Sequence, residues 1–151
     1  MVDGLVAGLL AWPCSEVPSA AHAAWSGGSW RRTVEAAGNL LMPSVGPPDR
    51  LRRVGTALRA AVALNWGVVL SRWLDPHRPV RHGAAAGTAL FVFQYLLVGR
   101  RRPLVRALPA WPQLADQVVF GAVAGTVLSS RRRARSGGGG RSRRRGGPRP
   151  P

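Results

Sequence analysis

The 151-residue chain carries 22 basic residues against 6 acidic ones, a formal charge of +16, and every basic residue is arginine. A single cysteine, Cys14, excludes an intrachain disulfide framework and any multi-cysteine zinc or iron–sulfur centre. Mean hydropathy lies close to zero, but it averages an apolar body with a segment from Arg131 onward made almost entirely of Arg, Gly, Ser and Pro.

Crossing a hydrocarbon layer of ~30 Å takes roughly 17 to 25 mostly apolar residues in a helix. Four stretches meet that length, which predicts an all-α polytopic membrane bundle over residues 1–130, followed by a disordered basic tail over 131–151. The first span runs near 2–25 and carries Pro13, Glu16, Pro18 and His22, so it reads as kinked or broken. Its rival reading is a cleaved signal peptide ending at Ala21-His22-Ala23, although Asp3 stands where a positive n-region belongs. Ser29 to Met42 then places Trp30, Val34, Ala37 and Leu41 at helical spacing and predicts a short interfacial helix, broken after Pro43. The second span, near 54–74, has Arg59 and Arg72 close to its two ends, where arginine snorkels to the interface.

The third span, near 83–99, is free of charge and ends at Arg100-Arg101-Arg102. The fourth, near 114–130, contains Asp116 and Gln117 at its start and ends at Arg131-Arg132-Arg133. Trp25, Trp30, Trp73 and Trp111 fall at predicted span ends, the level that indole rings prefer, whereas Trp12 and Trp66 are interior and read as packing.

Three copies of G-x-x-A-G recur inside the spans: Gly4 to Gly8, Gly83 to Gly87 and Gly121 to Gly125. Glycines four apart open a groove in which two helix backbones meet closely, predicting a tight bundle or a homo-oligomer seam. Ionisable and amide side chains at membrane depth are costly and therefore mark candidate sites. Here they are Glu16, His22, Arg59, Gln94, Asp116 and Gln117, which alternating spans bring to one half of the bilayer; Arg59 is expected to pair with Asp116 or Glu16. The bland reading of the same residues is snorkelling charges and helix caps, with Asp116 near the positive end of its helix. His77 and His82 share a loop but lack further metal-ligating neighbours, and Cys14 reads as a small buried apolar residue. No catalytic constellation, metal site or cofactor is expected.

The tail lacks the Phe or Tyr that would stack on bases, so nucleic acid is not the expected partner. Anionic lipid headgroups at Arg131, Arg132, Arg133 and Arg135 are, together with the bilayer itself. Alternating spans put 12 arginines on the side of the termini and 10 on the other, a slight excess that favours both termini in the cytoplasm. A structural, accessory or small-solute permeation role is expected. The competing classes are a basic nucleic-acid-binding protein and an intramembrane enzyme built around Arg59 and Asp116.

Several stretches together resemble a family of small, uncharacterised multi-pass integral membrane proteins of high-GC bacteria. They are GLVAG at Gly4 to Gly8 with Pro18-Ser19, AAGNLLMP at Ala36 to Pro43, NWGVVL at Asn65 to Leu70, and Val98 to Gly125. The resemblance implies a multi-pass helical fold and brings no activity, substrate or catalytic residue. It also implies a histidine where Gln117 stands beside Asp116, so this chain departs from the pattern there.

Overall fold

The structure is a computed structural model that describes residues 1–42, 47–75 and 77–138. Their only regular secondary structure is helical, with no strand among the described residues. The helices are α1 (Val2–Ser15), α2 (Val17–Trp25), α3 (Arg31–Leu41), α4 (Pro48–Trp73), α5 (Pro79–Val92), α6 (Pro103–Arg106) and α7 (Ala110–Gly138). A π-helical turn, Phe93–Val98, and a 3₁₀ turn, Gly99–Arg101, continue α5 without a gap.

Proline placement explains most of the boundaries. Pro13 removes a backbone donor inside α1, the chain passes through a tight turn in which the Glu16 N–H bonds the Pro13 carbonyl at 3.3 Å, and Pro18 restarts the helix in the first turn of α2. Both α4 and α5 begin with proline in their first turn, where a missing N–H costs nothing. Asp49 in the first turn of α4 and Arg72 in its last each complement the helix dipole.

The chain runs back and forth between two ends of a bundle. α1 with α2 leads from the first end to the second, α4 returns, α5 with its π turn goes out again, and α7 comes back. At the first end Asp3 meets Arg131 at 2.6 Å and Arg135 at 2.7 Å, while Arg132 donates to the carbonyls of Ser71 (2.8 Å) and Leu74 (3.2 Å). The second end gathers α2's last turn, α3, the start of α4, α6 and the start of α7. The shared core is built from alanines and leucines around one ring: Ala7, Ala11, Ala63, Leu70, Leu74, Ala124 and Leu128 with Phe120.

Glycine sets the spacing of that core. A Cβ on Gly83 would collide with the Gly121 carbonyl oxygen, and one on Gly121 with the Gly83 carbonyl oxygen. α5 and α7 therefore touch backbone to backbone. Gly87 lies in the same way against Gln117 of α7, and Gly125 against Pro79 of α5, whereas Gly4 and Gly8 meet Gly67, Val68 and Ala63 of α4. All six motif glycines are thus covered by helices of the same chain, which leaves no open glycine groove in these three copies for a second subunit.

By length and composition one described helix, α4, is long and apolar enough to cross a membrane. The other expected spans fail that test for visible reasons. The first is divided at Glu16 into helices of 14 and 9 residues; the third is a 14-residue α-helix prolonged by the π turn; and the 29-residue α7 carries Gln113, Asp116 and Gln117 near its start and Arg131 to Arg133 near its end.

Three readings of the sequence need correction. Residues 131–138 are not disordered but extend α7, because Asp3 and the carbonyls at the end of α4 hold Arg131, Arg132 and Arg135; residues 139–151 of the expected tail lie outside the described residues. Arg133, the fourth arginine expected to meet lipid headgroups, has no such engagement among the described residues. α3 does not merely lie on an interface: it packs on the first turns of α4, burying Val34, Ala36, Gly38 and Asn39, with Gly38 and Gly55 allowing the backbones to meet. Cys14 is exposed, on the outward stripe that also carries Leu10 and Val17.

Candidate functional site

Four of the six expected polar residues converge on one cavity. Arg59 of α4, Gln94 of the π turn, and Asp116 and Gln117 of α7 all line a space of about 370 Å³ between α1, α3, α4, α5 and α7, near the second end of the bundle. Its walls are otherwise apolar and aromatic, with Trp12, Trp66, Phe91, Tyr95 and Phe120 contributing rings and Leu40, Leu90 and Val62 filling between them. A volume of this size suits a small organic molecule.

Helical periodicity explains how α7 supplies its share. Gln113, Asp116, Gln117 and Phe120 stand at i, i+3, i+4 and i+7, and all four line the cavity. The π turn supplies the opposite wall: its wider winding carries Gln94 and Tyr95 to the cavity, and such turns are frequent at functional sites.

The charges are distributed unevenly. Arg59 Nε lies 3.4 Å from Glu16 Oε1, the same oxygen that accepts a hydrogen bond from Trp12 Nε1 at 2.6 Å. Arg59 is thereby committed to Glu16. Asp116, only 5% exposed, is held instead by Ser19, whose backbone N–H donates at 3.0 Å and whose hydroxyl donates to the other carboxylate oxygen. Gln113 Nε2 in turn donates to the Ser19 hydroxyl at 3.4 Å, and Gln117 reaches Gln94 through one long hydrogen bond of 3.5 Å. A smaller cavity of about 230 Å³, lined by Glu16, Ser19, Ala20, Trp30, Thr33 and Arg59, shares Arg59 and Thr33 with the first. The Arg59–Glu16 pair thus stands between two spaces.

The remaining members of the expected cluster divide. Glu16 lines the smaller cavity, whereas His22 lies outside both and packs edge-on against Trp111, with ring centroids 4.8 Å apart. Asp116 is not a helix cap, because α7 starts at Ala110 and the dipole's effect fades within the first turn. Ser19, Tyr95 and Gln113 are missing from the residues expected of the site, and Trp12 is among those read only as packing. Gln113 had a legible signal, since it completes the i, i+3, i+4 stripe with Asp116 and Gln117, but a span begun at residue 114 left it out.

Among the described residues, no group of three or more His, Cys, Asp or Glu side chains is placed to hold a metal ion. His82 Nδ1 lies 3.6 Å from Asp75, which also accepts a hydrogen bond from the His77 backbone N–H at 2.8 Å. Searches of protein-family models, curated proteins and solved structures give no match to this chain.

Proposed function

We propose that the protein is a multi-pass integral membrane protein that crosses the bilayer four times, through α1 with α2, α4, α5 with its π turn, and α7. Its interior cavity is a binding or permeation site for a small solute, and the protein performs no chemistry of its own. The observation that carries this reading is an inversion of polarity. Leu5, Leu9, Leu10 and Val17 along the first segment, and Val92, Phe93 and Leu96 along the third, are exposed, while Ser15, Ser19, Asn39 and Asp116 are buried. In water each exposed apolar square ångström forgoes about 25 cal/mol of burial. Against lipid that term vanishes, and buried polar groups become the ones that must find partners inside the protein.

Two further features support the bilayer. Trp25 and Trp111 at the second end and Trp73 at the first are all exposed, as in an aromatic belt at each interface. Helices that meet glycine to glycine associate through close van der Waals contact, the contribution that remains when lipid is as apolar as the core. The resemblance to small multi-pass membrane proteins belongs to the same proposal.

We place both termini in the cytoplasm, with Arg133 and the outer part of Arg135 near anionic headgroups at that face. Carbonate and high-salt washing of membranes from expressing cells tests the bilayer reading. Retention until detergent is added is the expected result, and release without detergent refutes it in favour of a soluble basic protein.

A further inference from the structure

We propose that the larger cavity binds a lipophilic organic cation, an amine or quaternary onium centre carrying apolar or aromatic substituents. The inference rests on the reading of the bundle interior as a solute site and names the chemical class that site takes. Three observations lead to it. Among the described residues lining the two adjoining cavities, two carboxylates, Glu16 and Asp116, accompany one guanidinium, Arg59. Arg59, which lines both cavities, is paired with Glu16 of the smaller one, so among the described residues Asp116 is the lining carboxylate with no ion-pair partner.

Ser19 gives Asp116 two hydrogen bonds but no countercharge, and burial leaves little solvent to stabilise the carboxylate. A lone charge in such surroundings is costly until a cation enters beside it. The walls supply the second half of the recognition. Rings of Trp12, Trp66, Phe91 and Tyr95 surround the space, and aromatic faces attract a cation most strongly where water is scarce. A small hydrated inorganic cation would forfeit its water shell against these walls, whereas an onium ion with apolar substituents buries them there. Arg102 donates to the Leu40 carbonyl of α3 at 3.2 Å and does not line the cavity.

The test uses the full chain purified in detergent and three probes of one shape: 4-phenylbutyltrimethylammonium, the hydrocarbon with tert-butyl in place of trimethylammonium, and 4-phenylbutanesulfonate. Binding is read by equilibrium dialysis and by quenching of indole fluorescence. The ammonium probe is expected to bind at least about tenfold more tightly than either of the others, the size of effect that one charge pair of reduced solvation gives. Asp116→Asn, which keeps an oxygen for the Ser19 donors, is expected to abolish that preference. Arg59→Gln is expected to sharpen it, because Glu16 then joins the surplus.

Equal binding of all three probes by the unaltered protein would overturn the proposal and point to a merely hydrophobic cavity, filled by a lipid chain. A preference for the sulfonate, with sulfonate binding weakened in Arg59→Gln, would overturn it in favour of an anion site governed by Arg59. The probe comparison on the unaltered protein decides the matter even where a variant does not fold. Loss of the ammonium preference leaves membrane integration untouched, and release by carbonate leaves the probe selectivity untouched, so the two readings fail separately.

Discussion

Gly83 and Gly121 face each other where α5 and α7 touch, and neither position has space for a methyl group. Gly121→Ala is therefore expected to lower stability by about 1–3 kcal/mol, the usual cost of overpacking a filled contact, and Gly121→Leu by more. Thermal unfolding in detergent measures both, with Gly28→Ala as the contrast, since its added methyl makes only ordinary contacts and should change stability by less than about 0.5 kcal/mol. Asp116 carries a different kind of cost. Asp116→Ala would leave the Ser19 N–H and hydroxyl unpaired in a buried place, an expected loss of about 1–3 kcal/mol. A double variant with Ser19→Ala should lose less than the sum of the two single changes, and full additivity would show that the pair does not act together. At this scale the sequence exposed residue types and depth, which is why Arg59, Gln94, Asp116 and Gln117 were recognisable as a group. Partnership was not legible. Two carboxylates were open to Arg59, and the bend at Glu16 that brings one oxygen to it, and Ser19 to Asp116, is a property of the folded first segment.

The helices themselves show where boundary reading works and where it does not. The break in the first segment was legible from its prolines, because a missing donor acts locally whatever the tertiary surroundings, whereas α4 and α5 start at Pro48 and Pro79, ahead of the spans expected near 54 and 83. The end of α7 had no such mark. Its last turns are arginine-rich and look too polar to fold alone, yet Asp3 lies across the bundle in reach of Arg131 and Arg135, and α4 offers two free C-terminal carbonyls to Arg132. A contact between residues so far apart in sequence leaves no periodic trace. Asp3→Asn is expected to loosen this end of α7, with faster amide exchange over 131–138 and only a small loss of overall stability, since Arg131 and Arg135 remain partly solvated. Raising the salt concentration should reproduce part of that loosening in the unaltered protein. Unchanged exchange would mean that the α4 carbonyls alone hold the helix end. Removal of residues 136–151 should leave insertion intact, because Arg131, Arg132, Arg133 and Arg135 stay beside the last span.

For the whole molecule, the decisive property is how many times the chain crosses the bilayer. Among the described residues one helix satisfies a length-and-hydropathy criterion by itself, whereas the proposed bundle needs three more segments that are divided, wound as a π turn, or polar at their ends. The polar residues of these segments meet one another inside, as Ser19 meets Asp116 and Gln94 meets Gln117, the arrangement that a bundle of such segments needs. Reporters of membrane side, placed at the N-terminus and after residues 45, 76, 106 and 130 of the full chain, separate the alternatives in one experiment. Four crossings predict that the N-terminus, position 76 and position 130 report the cytoplasm, while positions 45 and 106 report the opposite side. A single crossing by α4 would put the N-terminus with position 45, and positions 76, 106 and 130 together on the other side, and that pattern would contradict the account.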